Sequence, residues 1–390
     1  MPPSSLVVSQ WRTAQAAGQR TVRADVGEIN VWFRAPEEFP LAASGDPWLA
    51  VGLLPAMVLG ATLDLRDVPP LSPLLLAALP TIQDIWANWN PQIHRVEVLA
   101  NSGTPGVPDA ERMCFFSGGV DATFSALARA DSLTRLVFVN GFDFAMTPDA
   151  WTTALSRVAS LGVLLDVPVL GIETNWIELT RHHRISRGMS HGGCLTAVAH
   201  LLAPAEMIIA ASNSYARLTP WGTHPLLDPL WSTEATAITH HGANATRAEK
   251  VEGIARRSEL LRALWVCHVN PEQNCGNCDK CCRTRAMLAL LGMDAAAFPD
   301  ATGDPLARYA RVVARGSEQI YLPEIIALAQ RQDRQDAART LSRAGLRLRL
   351  RHLLREADDV FLGGRISGRK HRNEPPADLR PYGLSPIPER

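Results

Sequence analysis

The fold is decided by the stretch Phe115-Phe116-Ser117-Gly118-Gly119-Val120-Asp121, in which an apolar run stops at two glycines. The run Met113–Phe116 has the composition of a buried strand, and the residues after the glycines have the spacing of a helix. Glycine allows the backbone to turn sharply and to approach a ligand closely. The free N–H groups of such a loop and of the following helix N-terminus point at one spot, which suits a phosphate group. The stretch therefore predicts a strand, an anion-binding loop and a helix in direct succession.

Three side chains around this loop are candidates for contacts with a bound anion. Ser117 can add a hydroxyl donor, and Asp121 can either hold Mg²⁺ or cap the helix. Thr123 offers a second hydroxyl close to the loop. The sequence contains no GxxxxGK(S/T) motif, which argues against a kinase or GTPase of the Walker type. A tight strand–helix turn without any ligand is the alternative that the residues leave open.

Around the loop, short apolar runs alternate with stretches of helical spacing. The predicted strands are Met113–Phe116, Leu136–Val139, Val167–Ile172 and Met207–Ala211. The predicted helices between them are Ala122–Ala130, Asp149–Leu161 and Leu195–Leu202. This alternation predicts an α/β fold with a doubly wound parallel sheet that helices cover on both faces. In such a sheet the ligand lies beyond the carboxyl ends of the strands, where the loops after Phe116, Val139 and Ala211 would meet.

The chain of 390 residues is long enough for about two or three domains. Residues 1–108 predict an N-terminal α+β domain, which ends in the linker-like segment Asn101–Pro108. Residues 109–296 predict the nucleotide-binding domain, and residues 297–390 predict a helical, basic region with a proline-rich, disordered tail. The expected N-terminal elements are the strands Ile29–Phe33, Leu63–Leu65 and His94–Leu99, the helix Trp48–Leu59, and a helix from Pro73 to Trp89 that Ser72 caps.

Four cysteines lie within fifteen residues in the arrangement Cys267-x7-Cys275-x2-Cys278-x2-Cys281. A tetrahedral Zn²⁺ ion takes four thiolates at about 2.3 Å, and a CxxC turn supplies two of them. Since protein would fill all four positions, the spacing predicts a structural zinc site rather than a catalytic one. Buried or redox-active thiols and an iron–sulfur cluster are the alternatives. Cys282 is adjacent to Cys281, so it is not expected to be a ligand.

Both motifs resemble those of known enzymes. Ser117–Ala122 is similar to the SGGxDS signature of PP-loop ATP pyrophosphatases, although Ala122 stands where that family has a serine. A PP-loop followed about 150 residues later by C…CGxCxxC resembles the 7-cyano-7-deazaguanine synthase (QueC) family. Thr246–Val251 also resembles the TKAEIV stretch that precedes the cysteines in that family. The likeness covers about residues 113–291, roughly half of the chain, and implies a PP-loop sheet with a four-cysteine zinc subdomain.

The resemblance implies an ATP-dependent carbon–nitrogen ligase that releases AMP and pyrophosphate. Enzymes of the family convert 7-carboxy-7-deazaguanine into an acyl adenylate, which ammonia attacks to give an amide, and a second ATP drives dehydration to the nitrile. Longer QueC-like proteins of bacterial anti-phage operons join the activated deazaguanine to a protein N-terminus instead. The long segments on either side of residues 113–291, which the ordinary synthase lacks, make a protein acceptor plausible for this chain as well. The implied cofactors are ATP, Mg²⁺ and Zn²⁺, and the implied partners are a deazaguanine-type small molecule and a protein acceptor.

The resemblance also implies a set of site residues. The catalytic candidates are Ser117, Asp121, Arg247 and Lys250. The nucleotide-binding candidates are Ser117, Gly118, Gly119, Val120, Asp121, Thr123, Val139, Asn140, Ser212 and Asn213. Arg247 occupies the position of the family's lysine, and Lys250 lies one turn further along the same helix. The alternatives are plain surface positions for these two cations and turn capping for Ser212 and Asn213.

Charge and targeting signals restrict the other partners. Lys+Arg and Asp+Glu balance at 39 each, so no global field attracts the protein to nucleic acid or to a membrane. The N-terminus lacks a signal-peptide pattern and no apolar run is long enough to span a bilayer, so a cytoplasmic enzyme is expected. Residues 331–372 carry a net charge of +7, from twelve basic and five acidic residues. This surface is either a solvated helix face or a nucleic-acid contact, and the sequence favours the first.

Two rival functions stay open at this stage. A PP-loop tRNA-modifying enzyme, such as a thiolase or a lysidine synthase, would explain the basic C-terminal region. The four-cysteine motif comes without an obvious catalytic thiol pair, which argues against the thiolase. A non-catalytic nucleotide-binding module would explain the alanine at position 122.

Overall fold

The computed structural model of the chain describes residues 5–103, 109–142, 146–270, 272–293, 295–298, 302–314 and 320–362. One mixed sheet of ten strands runs through these residues, with helices on both of its faces. The strands are β1 Ser5–Ala16, β2 Gln19–Val26, β3 Ile29–Pro36, β4 Thr62–Asp64, β5 Val98–Leu99, β6 Asp109–Phe115, β7 Arg135–Asn140, β8 Val169–Thr174, β9 Pro204–Ala210 and β10 Ala237–His241. The α-helices are α1 Asp46–Leu59, α2 Pro73–Trp89, α3 Val120–Arg129, α4 Pro148–Leu165, α5 Trp176–His182, α6 Arg187–Leu202, α7 Arg247–Ala255, α8 Ser258–Ala263, α9 Asp279–Leu291, α10 Pro305–Ala314, α11 Leu322–Arg331 and α12 Gln335–Leu362.

The half of the sheet that contains β6 is entirely parallel. Its order is β10-β9-β6-β7-β8. The chain first builds outward from β6 to β8 and then returns to place β9 and β10 on the other side of β6. The strand order therefore reverses between β6 and β9, which creates a crevice at their carboxyl ends. The predicted α/β class and the parallel pairing of these strands are confirmed, while the specific PP-loop architecture stays a prediction.

Alternate residues at the centre of the sheet face two separate cores. Cys114 and Phe116 belong to a core that α3, α4, α7 and α9 to α12 cover. Met113 and Phe115 belong to the opposite core, which α1, α2 and α6 cover. Successive side chains of a strand leave on opposite faces, so a sheet that is covered on both sides needs apolar residues at every position. This requirement explains the continuous apolar run in front of the two glycines.

The N-terminal strands extend the same sheet. β3 pairs with β8 in the antiparallel sense, with Phe33 opposite Thr174, and β2, β1, β4 and β5 follow outward. α1 lies so close to α6 that a Cβ atom at Gly193 would come within 2.6 Å of the carbonyl oxygen of Ala50. Residues 5–103 thus share a sheet and an apolar core with the parallel half. Their independent folding stays a prediction, and the predicted linker overlaps residues 104–108, which lie outside the described residues.

The N-terminal helices follow the sequence signals closely. α2 begins at Pro73, and the Ser72 hydroxyl oxygen accepts a hydrogen bond from the N–H of Leu75 at 3.0 Å, as a helix cap does. The predicted strand His94–Leu99 is only two residues long. Gln83 of α2 accepts from the N–H of Val96 at 2.7 Å and donates to its carbonyl at 3.2 Å, so that residue is not available to a strand partner.

The C-terminal region is helical up to residue 362, as the sequence predicts. α10, α11 and α12 pack on one another and on α9, and α12 buries Leu341 and Leu348 in their shared core. The outer side of α12 exposes the arginines Arg339, Arg343, Arg347, Arg349 and Arg351. A partner for this basic surface stays a prediction, and the predicted disordered tail falls on residues 363–390, outside the described residues. None of the described helices is apolar over a length that could cross a bilayer.

Asn175 joins the N-terminal strands to the parallel half. Its side chain accepts from the N–H of Trp32 at 2.9 Å and donates to the carbonyl of Asn30 at 2.8 Å. We expect Asn175→Ala to lower the free energy of unfolding by about 1–3 kcal/mol, because two backbone groups lose their partner. Hydrogen exchange of the Trp32 amide should become faster. The matched control is Asn88→Ala, which removes only an exposed bond to the carbonyl of Asp84. Unchanged exchange at Trp32 would contradict the proposed role of the join.

Candidate functional site

The loop Ser117–Gly119 joins β6 to α3 at the carboxyl edge of the sheet. Phe116 still belongs to the sheet, since its N–H donates to a carbonyl of β7 at 2.8 Å. Gly118 has a φ of +75°, and a Cβ atom there would lie 2.9 Å from Cδ1 of Leu161. The Gly118 carbonyl accepts a hydrogen bond from the N–H of Trp265 at 2.8 Å. The positive φ therefore favours glycine at position 118, and a Cβ atom there would also displace the end of the Leu161 side chain.

The N–H groups of this loop are open. Within the described part of the chain, no acceptor binds the amides of Ser117, Gly118 and Gly119. The N–H of Thr123 donates to the carbonyl of Gly119 at 2.9 Å, which starts the hydrogen-bond ladder of α3. Ser117 is exposed, Gly119 is half-buried and Gly118 is buried, and all three precede the positive end of a helix of ten residues. Such an arrangement can bind an anion.

The other nucleotide-binding candidates lie on neighbouring strand ends. Val139 and Asn140 close β7, which pairs with β6 on one side. Ser212 and Asn213 follow β9, which pairs with β6 on the other side. The structure thus brings these residues to the same edge of the sheet as the loop. That edge is the one at which the strand order reverses.

The two asparagines at this edge make local hydrogen bonds. Asn140 accepts from the N–H of Met146 at 3.0 Å and donates to Glu173 at 3.3 Å. Asn213 donates to the hydroxyl of Thr219 at 3.2 Å. The bond of Asn213 agrees with turn capping, the alternative that the sequence left open for that residue. Contacts of this edge with a nucleotide stay a prediction.

Asp121 lies in the first turn of α3 and binds two cations of α7. The distance from Arg247 to a carboxylate oxygen is 2.7 Å, and the distance from Lys250 Nζ to the other oxygen is 3.1 Å. Lys250 Nζ also donates to the carbonyl of Ala211 at 2.5 Å, directly after β9. The Lys250 side chain is only 1% exposed. The sequence allowed the alternative that both cations lie on the surface. In the structure they are buried next to the loop instead.

The electrostatic balance at Asp121 strongly favours the ionised carboxylate. Burial by itself raises the pKa of this group, but Arg247, Lys250 and Arg283 outweigh burial, and the resulting pKa lies below the ordinary value of 3.8. Both carboxylate oxygens are already bound by cations. In this arrangement Asp121 therefore has no oxygen free for the expected Mg²⁺ ion. The presence of that ion stays a prediction.

Three residues of the site gave no signal in the sequence. Arg283 of α9 is 3% exposed, and its guanidinium carbon lies 3.9 Å from the ring centre of Tyr321. Arg247 contacts the same ring at 5.0 Å and donates to its hydroxyl at 3.3 Å. Glu324 of α11 has a raised pKa, mainly through burial, which the charges of Arg247 and Arg283 only partly offset. The C-terminal region thus forms one wall of the site.

Ala122 and Thr123 follow Asp121 in α3, and both are buried. The hydroxyl of Thr123 is closed off from solvent and has no hydrogen-bond partner among the described residues. Its expected contact with a nucleotide stays a prediction. In this arrangement the exposed hydroxyl at the loop belongs to Ser117.

The four predicted metal ligands come together. The Sγ atoms of Cys267, Cys275, Cys278 and Cys281 all lie within 4.8 Å of one another, and the Cys267–Cys278 and Cys275–Cys281 separations are 4.0 Å. A tetrahedron with zinc–sulfur bonds of about 2.3 Å has edges of about 3.8 Å, so the four thiols could hold a zinc ion with little movement. Their polar surroundings also fit, because backbone N–H groups donate to three of the sulfurs.

The thiol charges favour a cation at this point. Hydrogen bonding from Cys281 lowers the pKa of Cys278 to about 5, although burial opposes this shift. The side-chain hydrogen bond with Cys278 and burial raise the pKa of Cys281, and the charge of the Cys278 thiolate adds to this shift. A divalent ion would remove this conflict, and its binding would stabilise the fold around the cysteines.

The remaining cysteines are not part of this group. Cys282 donates to the carbonyl of Asn277 at 3.3 Å and lies outside the group of four thiols. Cys114 and Cys194 are fully buried in the two cores. Apart from an overlapping trio of His268, Cys278 and Asp279, the described residues contain no other group of His, Cys, Asp and Glu that could hold a metal.

Comparisons with known proteins identify no relative of this chain. No protein-family model matches the chain, and neither the curated proteins nor the solved structures contain a match. The functional conclusion therefore depends on the site geometry and on the motif resemblance.

We expect Cys275→Ser to abolish stoichiometric metal binding and to lower the unfolding temperature, because three thiolates and a hydroxyl bind zinc poorly. The control is Cys282→Ser, which changes a buried thiol of the same segment and should retain the metal. Metal content by mass spectrometry and thermal unfolding measure both effects. Full metal content in Cys275→Ser would show that this cysteine is not a ligand.

We expect Asp121→Asn to lower the free energy of unfolding by about 3–5 kcal/mol near neutral pH, because Arg247 and Lys250 lose a buried counter-ion. The folded-state pKa of Asp121 is lowered, so its contribution is present above the unfolded value of 3.8 and disappears as the pH falls through the folded pKa. The difference between the two proteins should shrink over that range. Denaturant titrations at several pH values measure it, and a difference that is independent of pH would exclude this role.

Proposed function

We propose that this chain is an ATP-dependent, QueC-like ligase that adenylates a 7-carboxy-7-deazaguanine-type carboxylate and transfers it to an amine. The observation that carries this proposal is the open loop Ser117–Gly119 beside the buried cations Arg247 and Lys250. Loop amides and cations both favour a diphosphate over a neutral ligand. The second support is the order of motifs, with the four-cysteine segment after the loop.

The charges of the site suit an anion. Arg247, Lys250 and Arg283 carry three positive charges, and Asp121 carries one negative charge. Glu324 adds a second negative charge only when it is ionised, and its raised pKa opposes ionisation. Counted over these five residues alone, at least one positive charge is in excess. A buried excess charge of this kind strengthens the binding of a multivalent anion.

The proposed reaction explains why such a site is needed. A carboxylate is a poor electrophile because its leaving group would be oxide. In the first step a carboxylate oxygen attacks the α-phosphorus of ATP, the bond to the β-phosphate oxygen breaks, and pyrophosphate leaves. The loop donors and cations would stabilise the negative charge that grows on pyrophosphate. In the second step the amine forms the C–N bond, AMP leaves with the C–O electron pair, and the amine proton passes to solvent.

The metal and the acceptor have separate roles in this proposal. Zinc, held by Cys267, Cys275, Cys278 and Cys281, would stabilise the fold and would take no part in bond breaking. The acceptor is either ammonia, which leads to an amide or nitrile, or the N-terminus of another protein. The resemblance to longer proteins of anti-phage operons supports the second acceptor.

The test is pyrophosphate release from ATP in the presence of 7-carboxy-7-deazaguanine. We expect release to require that carboxylate, and we expect Lys250→Met to slow it about 100-fold or more, because a charge at the leaving group is lost. The control is Arg257→Met, which removes an exposed cation that pairs with Glu259. Mass spectrometry of the product then distinguishes nitrile, amide and protein adduct.

Two outcomes would replace the proposal. Turnover that only tRNA stimulates would identify a tRNA-modifying enzyme. Binding of ATP without cleavage, with every candidate carboxylate and amine present, would identify a non-catalytic binding module.

A further inference from the structure

The cysteine segment touches the anion-binding site on both of its sides. Trp265 lies two residues before Cys267, and its N–H donates to the carbonyl of Gly118 in the loop at 2.8 Å. Arg283 lies two residues after Cys281 and reaches the cation cluster. The segment between these two contacts contains all four predicted ligands. A metal ion at the cysteines would therefore fix the distance between the two contacts.

The start of α9 is built from the metal ligands themselves. Cys278 is the N-cap residue of α9, and its sulfur accepts from the N–H of Cys281 at 3.4 Å. Arg285 donates to the carbonyl of Gly276 at 3.1 Å, which holds the turn between the ligands against the same helix. The direction of α9 and the position of Arg283 thus depend on how the cysteine turn is held.

Asn274 fixes the other end of this segment. Its side-chain oxygen accepts from the N–H groups of Val266 and Cys267 at 2.9 and 3.0 Å. Its side-chain nitrogen donates to the carbonyls of Leu264 and Ala297 at 2.7 and 2.8 Å. Asn274 therefore holds the backbone on both sides of Trp265, and a displacement of the cysteines would be passed toward the loop.

Arg283 is held in place by an aromatic ring and is surrounded by charges of the site. Its guanidinium contacts the ring of Tyr321 at 3.9 Å, and Arg247 contacts the same ring at 5.0 Å. Two guanidinium groups next to one ring repel each other, and an anion close to both offsets this repulsion. Asp121 supplies one negative charge, and Arg283 contributes to the lowered pKa of that carboxyl group. Arg283 and Arg247 therefore belong to one electrostatic cluster.

We propose that Arg283 is an anion-binding residue of this site, that its ligand is a diphosphate, and that metal binding by the cysteines sets its position. This inference rests on the proposed function, because it takes the site to bind the pyrophosphate part of ATP. It adds a regulatory consequence: loss of the metal weakens diphosphate binding as well as the fold. Zinc affinity and diphosphate affinity are then thermodynamically coupled, so each ligand increases the affinity for the other.

The test uses the full-length, zinc-loaded protein and inorganic pyrophosphate as the probe, with isothermal titration calorimetry. We expect Arg283→Met to weaken pyrophosphate binding about tenfold or more while zinc content and thermal stability stay close to wild type. Arg257→Met is the matched control and should bind like wild type, because Arg257 is exposed and pairs with Glu259. Tyr321→Leu should also weaken binding, by less than Arg283→Met, because it removes the ring that supports Arg283 and Arg247 but leaves both positive charges in place.

The coupling to the metal is tested in the wild-type protein. Partial removal of zinc by a chelator should lower pyrophosphate affinity, and added zinc should restore it. The same treatment of Arg283→Met should change pyrophosphate affinity much less, since the group that responds to the metal is missing. Equal sensitivity of the two proteins to zinc would overturn the coupling.

The remaining outcomes separate this inference from the proposed function. If the wild-type protein binds no pyrophosphate, the anion site of the proposed function is refuted as well. If the wild-type protein binds pyrophosphate and Arg283→Met binds it equally well, only the inference is refuted. Loss of zinc from Arg283→Met would show that the arginine stabilises the cysteine segment instead of contacting the anion.

Discussion

The buried carboxylate of Asp121 is the point on which the candidate site depends. It binds Arg247 at 2.7 Å and Lys250 at 3.1 Å, and it thereby ties the first turn of α3 to α7. Lys250 also binds the carbonyl of Ala211 after β9, so one cluster connects the two strand ends between which the order of the sheet reverses. Removal of one partner from a buried ion pair leaves an uncompensated charge at a cost of about 3–5 kcal/mol. The ends of β6 and β9 are therefore tied together by charges that cannot easily separate.

The segments around this cluster keep water away from it. Tyr321 and Glu324 close the site from the C-terminal side, and α9 brings Arg283 from the direction of the cysteines. Electrostatic interactions become stronger where water is excluded, so the same cations would act more weakly on an open surface. The C-terminal helices are thus part of the site. Through Tyr321 and Glu324 the basic region has a structural role that does not depend on a binding partner.

The sequence was sufficient to predict those features that depend on residues close to one another in the chain. The Ser72 cap, the glycines after Phe116 and the cysteine spacing each act within a few residues, so their outcome can be inferred from one stretch of chain. The pairing of β3 with β8 and the contact of Arg283 with Tyr321 join residues that are distant in sequence and have no local signature. The strand expected at His94–Leu99 is shorter than predicted because of another contact without a local signature. Gln83 of α2 forms hydrogen bonds with both backbone groups of Val96. Arg247 and Lys250 are buried because they pair with Asp121, which is more than 120 residues away in sequence. No local pattern around either cation indicates that pairing.

A diphosphate could enter this site in two ways, and the charges distinguish them. If it replaced Asp121 as the partner of Arg247 and Lys250, a carboxylate that lies deep in the protein would lose both counter-ions, which costs several kcal/mol. If Asp121 kept its partners, the ligand would be bound by the open loop amides and by Arg283, and the paired cations would act on it through their charge. The second arrangement keeps the ion pairs of Asp121 with Arg247 and Lys250 intact. Donors and charges that are already in position cost no reorganisation, which is the property that catalysis by electrostatic stabilisation requires.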